Sequence, residues 1–239
     1  MDFGEADRIL TVFSRQHGKL RVIAKGARRP LSRLGAHLEY FSVTRFMLAR
    51  GRELDVVTGA ETLDPHLPIR ESLDALGHAS HMVEVLGRLT EDRQENRAIF
   101  DLLASSLQLL DVDGNYFHTT RHYEFALLAL LGFRPELYRC MECQQTLRQA
   151  EHAFVAQQGG FLCELCRGRL PSTYLVSVDA QKYLRLLDRA GISAVMRIDP
   201  SSALQDEVEA LFGHYLRSIA EKDFNSLRIW RELNDVSPP

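Results

Sequence analysis

The sequence predicts an α+β protein, with a small β-domain at the N-terminus followed by an α-helical domain that carries a cysteine-bearing insert. Short β-branched and apolar runs separated by glycine turns fill the first sixty residues, whereas apolar residues recur at three- and four-residue steps after Pro68. All four cysteines lie between positions 140 and 166. The chain has 239 residues, which is enough for one large or two small domains.

Four strands are predicted in the N-terminal region. Segments 8–14 and 19–25 are rich in β-branched and apolar residues, and a longer stretch at 37–49 and a shorter one at 53–59 complete the set. Segment 26–35, which contains Pro30 and two glycines, is predicted to be a loop. Short strands at this spacing predict a small barrel or sandwich over residues 1–66.

Helices are predicted for most of the remaining chain. One follows the apolar stripe from Ile69 to Leu86, and others cover 96–110 and 120–131. After the insert we expect two more, with Asp179 capping the first and Asp199 the second, followed by Pro200 as its first residue. These patterns divide the chain into a β-domain, a first helical part, a cysteine-bearing insert and a second helical part, at 1–66, 67–139, 140–170 and 171–239.

Charge is divided unevenly along the chain. Residues 1–52 carry eleven basic and four acidic side chains, a net charge of +7, whereas the other 187 residues have 18 basic and 28 acidic side chains, a net charge of −10. This division indicates that the N-terminal part binds a polyanion, although uneven decoration of a solvated surface is the alternative.

No apolar run has the roughly 20 residues of a membrane span, and the acidic N-terminus lacks an apolar signal core. We therefore expect a soluble, cytoplasmic protein.

The four cysteines form two CxxC pairs, Cys140/Cys143 and Cys163/Cys166, separated by nineteen residues. This spacing is typical of a zinc site, because two tight turns can point four thiolates at one ion. Four protein ligands leave no open coordination position, so one structural Zn²⁺ per chain is predicted. Disulfides do not suit a cytosolic chain, and a redox CxxC is the other alternative. His152 lies inside the insert and is interpreted as a surface residue.

A run of basic residues is the candidate DNA-binding segment. It covers the second predicted strand and the loop after it, where Lys and Arg can displace counterions condensed on phosphates. Its members are Lys19, Arg21, Lys25, Arg28, Arg29 and Arg33. Nearby aromatic residues could stack on bases, but most are expected to be core residues. They are Phe3, Phe13, Tyr40, Phe41 and Phe46.

No catalytic constellation stands out. A phosphate-binding loop of the GxxxxGK[ST] type is absent from the sequence. Glu5 and Asp7 could suggest a metal-dependent nuclease, but two-metal sites usually draw carboxylates from several elements. His78 and His81, three residues apart on a predicted helix, are interpreted as packed or surface residues. We therefore expect a protein that is not an enzyme.

Several motifs together resemble those of the RecO family of recombination mediators. They are GEADRILT at 4–11, HGKL at 17–20, AKGARR at 24–29, SR at 32–33, YEFALL at 123–128, LGFRP at 131–135 and CMEC at 140–143. The resemblance covers most of the chain. Each motif is weak alone, and the combination is specific.

The resemblance implies an N-terminal OB barrel, a helical domain and, in many members, a zinc-binding insert. It implies binding to single- and double-stranded DNA, annealing of complementary strands, and loading of RecA with RecR onto DNA coated by single-strand binding protein. The acidic C-terminal tail of the last protein would dock on the helical domain. Arg121 and Arg134, which flank the helix predicted at 120–131, are candidate rim residues for that tail; solvated helix caps are the alternative.

The sequence departs from the family at its start. Family members usually have an extra strand of about ten residues before the GEAD motif, whereas only three residues precede it here. We therefore expect a barrel that lacks its first strand, and a true start that lies upstream.

The alternative function is a zinc-ribbon transcription or RNA-binding factor, and a nuclease using Glu5 and Asp7 ranks third.

Overall fold

Five strands form the N-terminal sheet of the computed structural model. They pair in the order β1-β2-β3-β5-β4, in which β3 and β5 are parallel and the other pairs antiparallel. This order, with a parallel pair between the third and fifth strands, is that of an OB fold. The strands are β1 (Asp2–Phe3), β2 (Asp7–Ser14), β3 (Gly18–Ala24), β4 (Val43–Ala49) and β5 (Asp55–Asp64).

The structure describes residues 2–3, 5–112, 114–168 and 174–236, without the side chains of 2, 3 and 234–236. The chain divides into two units. The first unit comprises Met1–Ala79 and Thr90–Gly114, and the second comprises Ser80–Leu89 and Asn115–Pro239.

Alternating side chains of β3 build the core of the sheet. Leu20, Val22 and Ala24 are buried, whereas Arg21 between them is exposed, because successive side chains of a strand point to opposite faces. Leu38 and Val57 join the same cluster. The α+β class and the OB-like N-terminal sheet are confirmed.

Two details of the sheet differ from the prediction. A two-residue first strand, β1, pairs with Asp7 and Arg8 at the edge where no strand was expected. The strand predicted over 37–49 begins only at Val43, because a 3-10 turn covers Gly35–His37 and Phe41 has a left-handed backbone with φ of 64°. Neither conformation can continue a pleated ladder.

The helix predicted from Ile69 is two helices, α1 (Leu67–Glu71) and α2 (Leu73–Leu89). The backbone of Ser72 is extended, with φ −111° and ψ 123°, and its hydroxyl accepts a hydrogen bond of 3.2 Å from the amide of Ala75. Ser72 therefore ends the first helix and caps the second. The next helix, α3 (Arg97–Val112), matches the prediction of a helix over 96–110.

The second unit is mainly helical and contains a small three-stranded sheet. The sheet has the order β7-β6-β8, and both pairs are antiparallel. In chain order the elements are α4 (Tyr116–Leu130), β6 (His152–Val155), β7 (Gly160–Leu162), α5 (Glu164–Arg167), β8 (Tyr174–Val176), α6 (Val178–Ala190), α7 (Ile192–Val195), α8 (Ser202–Ala220) and α9 (Ser226–Val236).

Serines, and not the predicted aspartates, cap two of these helices. The Ser177 hydroxyl accepts from the Ala180 amide at 3.1 Å, and the Ser201 hydroxyl accepts from the Leu204 amide at 3.3 Å. Asp179 instead lies in the first turn of α6, where the positive end of the helix dipole stabilises a carboxylate.

Within the described part of the chain, no helix is both long enough and apolar enough to cross a membrane.

Candidate metal centre and nucleic-acid interface

The four cysteines of the second unit lie in one cluster. Their Sγ atoms are all within 4.8 Å of one another, and those of Cys143 and Cys163 are 3.8 Å apart. Thiolates at about 2.3 Å from a tetrahedral zinc ion are separated by about 3.8 Å. The cluster therefore has the dimensions of a four-thiolate metal site, with its thiols drawn from two segments twenty residues apart in sequence.

Two tight turns position the thiols. In the first, the amide of Gln144 donates to the carbonyl of Cys140 at 2.9 Å. In the second, β7 leads directly into Cys163, and the amide of Cys166 donates to the Cys163 carbonyl at 3.0 Å. A hydrogen bond of 2.9 Å from the Met141 amide to the Phe161 carbonyl ties the first turn to β7. Local CxxC geometry and the small sheet therefore bring the two pairs together.

The electrostatics of the cluster favour a bound cation. Burial tends to raise the pKa of the Cys140 thiol, but backbone hydrogen bonds from Cys143, Cys163 and Glu142 lower this pKa to about 6. Desolvation and the neighbouring thiols raise the pKa of Cys166 to about 12. Four thiolates this close repel one another, and a divalent ion offsets that repulsion when it binds.

His152 is not the surface residue that the sequence predicted. It begins β6, is 3% exposed, and its Nε2 forms a hydrogen bond of 3.0 Å with the carbonyl of Arg148. His152 lies on the central strand of the three-stranded sheet, and no local pattern around position 152 indicated that it is buried.

The basic residues of β3 and its following loop are mostly exposed. Five of the six predicted residues have exposed side chains, namely Arg21, Lys25, Arg28, Arg29 and Arg33. Within the described residues, no acidic side chain forms an ion pair with Arg21, Lys25, Arg29 or Arg33. We call these five side chains the basic surface.

Lys19, the sixth predicted residue, is turned away from solvent. Its side chain is 15% exposed, and its Nζ donates to the Thr90 carbonyl at 2.5 Å and lies 3.4 Å from Asp92. The segment after α2 runs against the start of β3, where the Arg93 amide donates to the Lys19 carbonyl at 2.8 Å. In this structure Lys19 therefore does not share the exposed face of the other five basic residues.

The loop that carries Arg28 and Arg29 is held by the first residue of β2 and the residue before it. The Gly26 amide donates to Asp7 Oδ1 at 2.8 Å, and the Arg28 amide donates to the Ala6 carbonyl at 3.0 Å. Gly26 has φ of 64°, a left-handed conformation that glycine adopts without strain. Sequence reasoning considered Asp7 only as a nuclease ligand, whereas the structure gives its carboxylate an anchoring contact.

Among the aromatic candidates, Tyr40 is the most accessible. Its side chain is 66% exposed, whereas Phe46 packs against the core cluster and Phe13 is partly buried. The side chain of Phe3 is outside the described residues. Tyr40 is thus an aromatic face that a base could reach without rearrangement of the core.

Arg121 is not available as a surface rim. It lies inside α4 with 1% exposure, and its guanidinium is 3.1 Å from Glu124 and 5.5 Å from the ring centre of Phe212. Glu124 also forms a hydrogen bond of 2.6 Å with His81. Because helical periodicity turns Arg121 and Glu124 to the same face, three residues apart, the pair is buried together.

Arg134, the other proposed rim residue, has an exposed side chain. Its Nε donates to Asp188 at 2.9 Å, and its side chain remains 59% accessible to solvent. Of the two proposed rim residues, Arg134 is therefore the one that presents its guanidinium at the surface.

An OB-like sheet with exposed basic side chains, combined in one chain with a four-cysteine cluster, is typical of nucleic-acid-binding proteins. The family model described as recombination protein O N terminal matches residues 1–66, and the one described as recombination protein O C terminal matches residues 70–228. The chain belongs to the RecO family, which confirms the resemblance found in the sequence.

Curated relatives agree with this assignment. A "DNA repair protein RecO" from Roseiflexus sp. is 40% identical over 98% of this chain and 82% of its own length. Proteins of the same name from Desulforamulus reducens and Dehalococcoides mccartyi are 35% and 34% identical, over 97% and 95% of this chain and 90% and 89% of their own lengths. Membership of this family supports a role in DNA repair.

Proposed function

We propose that this protein is a recombination mediator that binds single- and double-stranded DNA through the basic surface. It anneals complementary strands and, together with RecR, helps to load RecA onto DNA coated by single-strand binding protein. Family membership supports the mediator role over a zinc-ribbon transcription or RNA-binding factor. The observation that carries the DNA-binding part is the cluster of exposed basic side chains around an anchored loop.

The anchored loop favours phosphate binding for two reasons. Its backbone is already ordered by Asp7 and Ala6, so that little conformational entropy is lost when DNA binds. The side chains that lack an acidic partner in the described part of the chain need not break an ion pair first. Contact with phosphates releases condensed counterions, which favours binding without regard to sequence.

The cysteine cluster is proposed to hold one structural Zn²⁺ through Cys140, Cys143, Cys163 and Cys166. With four thiolates the ion has a closed coordination shell, so it would stabilise the insert and would not activate water. In this proposal the protein does not catalyse a reaction. The mediator works by binding and by bringing DNA strands and partners together.

The tail of single-strand binding protein is proposed to contact Arg134. A tail that ends in acidic residues and an aromatic residue needs a cationic rim. Asp188 is only 4% exposed, whereas the Arg134 side chain is 59% exposed, so the guanidinium can contact a tail carboxylate while it still pairs with Asp188. Arg134→Glu should weaken binding of a tail peptide at least tenfold in fluorescence anisotropy, and unchanged affinity would remove this contact from the proposal.

A strand-annealing assay tests the main proposal. Complementary strands coated with single-strand binding protein are mixed with the wild-type protein, with Arg28→Glu/Arg29→Glu, or with Arg228→Glu/Arg231→Glu. The last variant makes the same change in net charge on α9, where both arginines already pair with glutamates. We expect fast annealing by the wild type and the α9 variant, and slow annealing by the loop variant. Absence of wild-type annealing would favour the transcription-factor alternative.

A further inference from the structure

A second group of candidate metal ligands lies in the first unit, apart from the cysteines and the basic surface. Asp64 ends β5, His66 immediately precedes α1, and Asp111 lies in the last turn of α3. One ligand atom from each falls within 4.8 Å of the others. His66 Nδ1 is hydrogen-bonded to Asp111 Oδ2 and is 3.7 Å from Asp64 Oδ1.

The polar groups of this cluster are incompletely satisfied by the protein. His66 is only 2% exposed, and its imidazole points one nitrogen at the two carboxylates. The second oxygen of Asp111 and the Nε2 of His66 are buried without a hydrogen-bond partner in the described part of the chain. A buried polar atom without a partner costs about 1–3 kcal/mol, and for the free oxygen of Asp111 a bound cation would offset that cost.

The backbone also holds the ligands together. The His66 amide donates to Asp64 Oδ1 at 3.1 Å, which fixes that carboxylate beside the imidazole. His66 itself has φ of 42° and ψ of 54°, a left-handed conformation that is uncommon for residues other than glycine and in which histidine, asparagine and aspartate are enriched. The chain thus turns the imidazole inward, towards Asp111 on a helix that is 45 residues away in sequence.

We propose that Asp64, His66 and Asp111 bind one divalent metal ion of the Mn²⁺ or Zn²⁺ type. One imidazole and two carboxylates are ligands that these ions accept, whereas soft metals prefer sulfur. The ion takes the place of the proton between His66 Nδ1 and Asp111, which is released to solvent, and the unpartnered oxygen of Asp111 becomes its second donor from that residue. Asp64 is 48% exposed, so water completes the coordination shell from the solvent side.

Such an ion would join the end of β5 to the end of α3 within the first unit. Metal–ligand bonds of about 2.0–2.2 Å require ligand separations near 3 Å, so Asp111 must move slightly away from His66. That adjustment is small for a carboxylate at the end of a helix. The ion would therefore act as a cross-link between the sheet and α3.

Titration with Mn²⁺ tests the proposal on the full-length protein with zinc in the cysteine cluster. Mn²⁺ binds thiolate ligands weakly, so it probes the group of two carboxylates and one imidazole selectively. Loss of the electron paramagnetic resonance signal of free Mn²⁺ measures binding. We expect one Mn²⁺ per chain, and at least a tenfold weaker affinity in Asp111→Asn. The matched control is Asp101→Asn on the same helix, an exposed residue that pairs with Arg15 and should leave Mn²⁺ affinity unchanged.

A second variant protects the test against misfolding. His66→Asn keeps a residue type that tolerates the left-handed backbone and removes the imidazole ligand. Selective broadening of the His66 ring resonances by Mn²⁺ in the wild type would support the site even if both variants unfold. If the wild type binds neither Mn²⁺ nor a second Zn²⁺ at about millimolar concentration, or if Asp111→Asn binds Mn²⁺ as the wild type does, the proposal is overturned.

Discussion

Two groups of polar side chains, one in each unit of this protein, have opposite environments. The first unit presents the basic surface to solvent, on a strand and an anchored loop, with no acidic partner for four of its five members within the described residues. The second unit encloses polar groups instead: Arg121, Glu124 and His81 form a buried network, and two of the four clustered cysteines are buried.

Because of this difference in exposure, we expect the first group of side chains to serve DNA binding and the second to serve the stability of the fold. An exposed cation without a partner contributes little to folding and is available for a polyanion. A buried charge must be paired, because its desolvation costs several kcal/mol that only a partner can offset. Arginine therefore has two roles in one chain, and its environment decides which. Four predictions test whether the roles are as separate as the structure indicates.

Loss of a cysteine should have the largest effect, and it should be confined to the second unit. Cys163→Ser removes one of four proposed zinc ligands, so the protein should lose its zinc and the insert its order. Metal analysis and proteolysis of the insert measure both. DNA affinity should change much less, since the basic surface lies in the first unit. If wild-type protein that has been purified under reducing conditions contains no zinc, the metal assignment is contradicted.

Removal of Glu124 should destabilise the protein by about 3–5 kcal/mol, because Arg121 would be left as a buried charge without its partner. Urea unfolding of Glu124→Ala measures this change. The matched control is Glu232→Ala, which removes an exposed i,i+4 pair with Arg228 and should cost about 0–1 kcal/mol. Equal costs for the two variants would show that the buried network does not support the fold.

Charge reversal on the loop should weaken DNA binding and leave folding unchanged. Five phosphate contacts give a slope of log affinity against log salt of about −3.5 on single strands and −4.5 on duplex. Arg28→Glu/Arg29→Glu should flatten that slope and weaken binding to all sequences, with circular dichroism and zinc content unchanged. If the double variant binds DNA as the wild type does, the assignment of the basic surface is wrong.

The smallest effect should distinguish two neighbours on one strand face. Arg21→Gln should reduce the salt slope by about 1 because it removes one phosphate contact. Lys19→Ala should leave the slope unchanged and lower the free energy of unfolding by about 1 kcal/mol, through loss of the hydrogen bond to Thr90. A reduced slope for Lys19→Ala would mean that this side chain leaves Thr90 when DNA binds.

Most of the fold could be predicted from the sequence because its signals are local. The alternation along β3 and the apolar stripes of α3 and α8 depend on neighbours a few residues away. The break at Ser72 and the helix α9 were missed. A single serine cap does not interrupt an apolar stripe, and α9 depends on a distant residue, because Glu84 accepts hydrogen bonds from the amides of Asn225 and Ser226 at its start.

The sequence by itself determined the α+β class, the family and the cysteine cluster, because each rests on residue types at fixed spacing. Only the tertiary structure decided that Lys19 turns inward, that Arg121 is buried and that Asp64, His66 and Asp111 meet. The physical reason is that the environment of a charged side chain depends on segments far away in sequence. Lys19 donates a hydrogen bond to the Thr90 carbonyl, and the guanidinium of Arg121 lies over the ring of Phe212. Asp111, on α3, is hydrogen-bonded to His66.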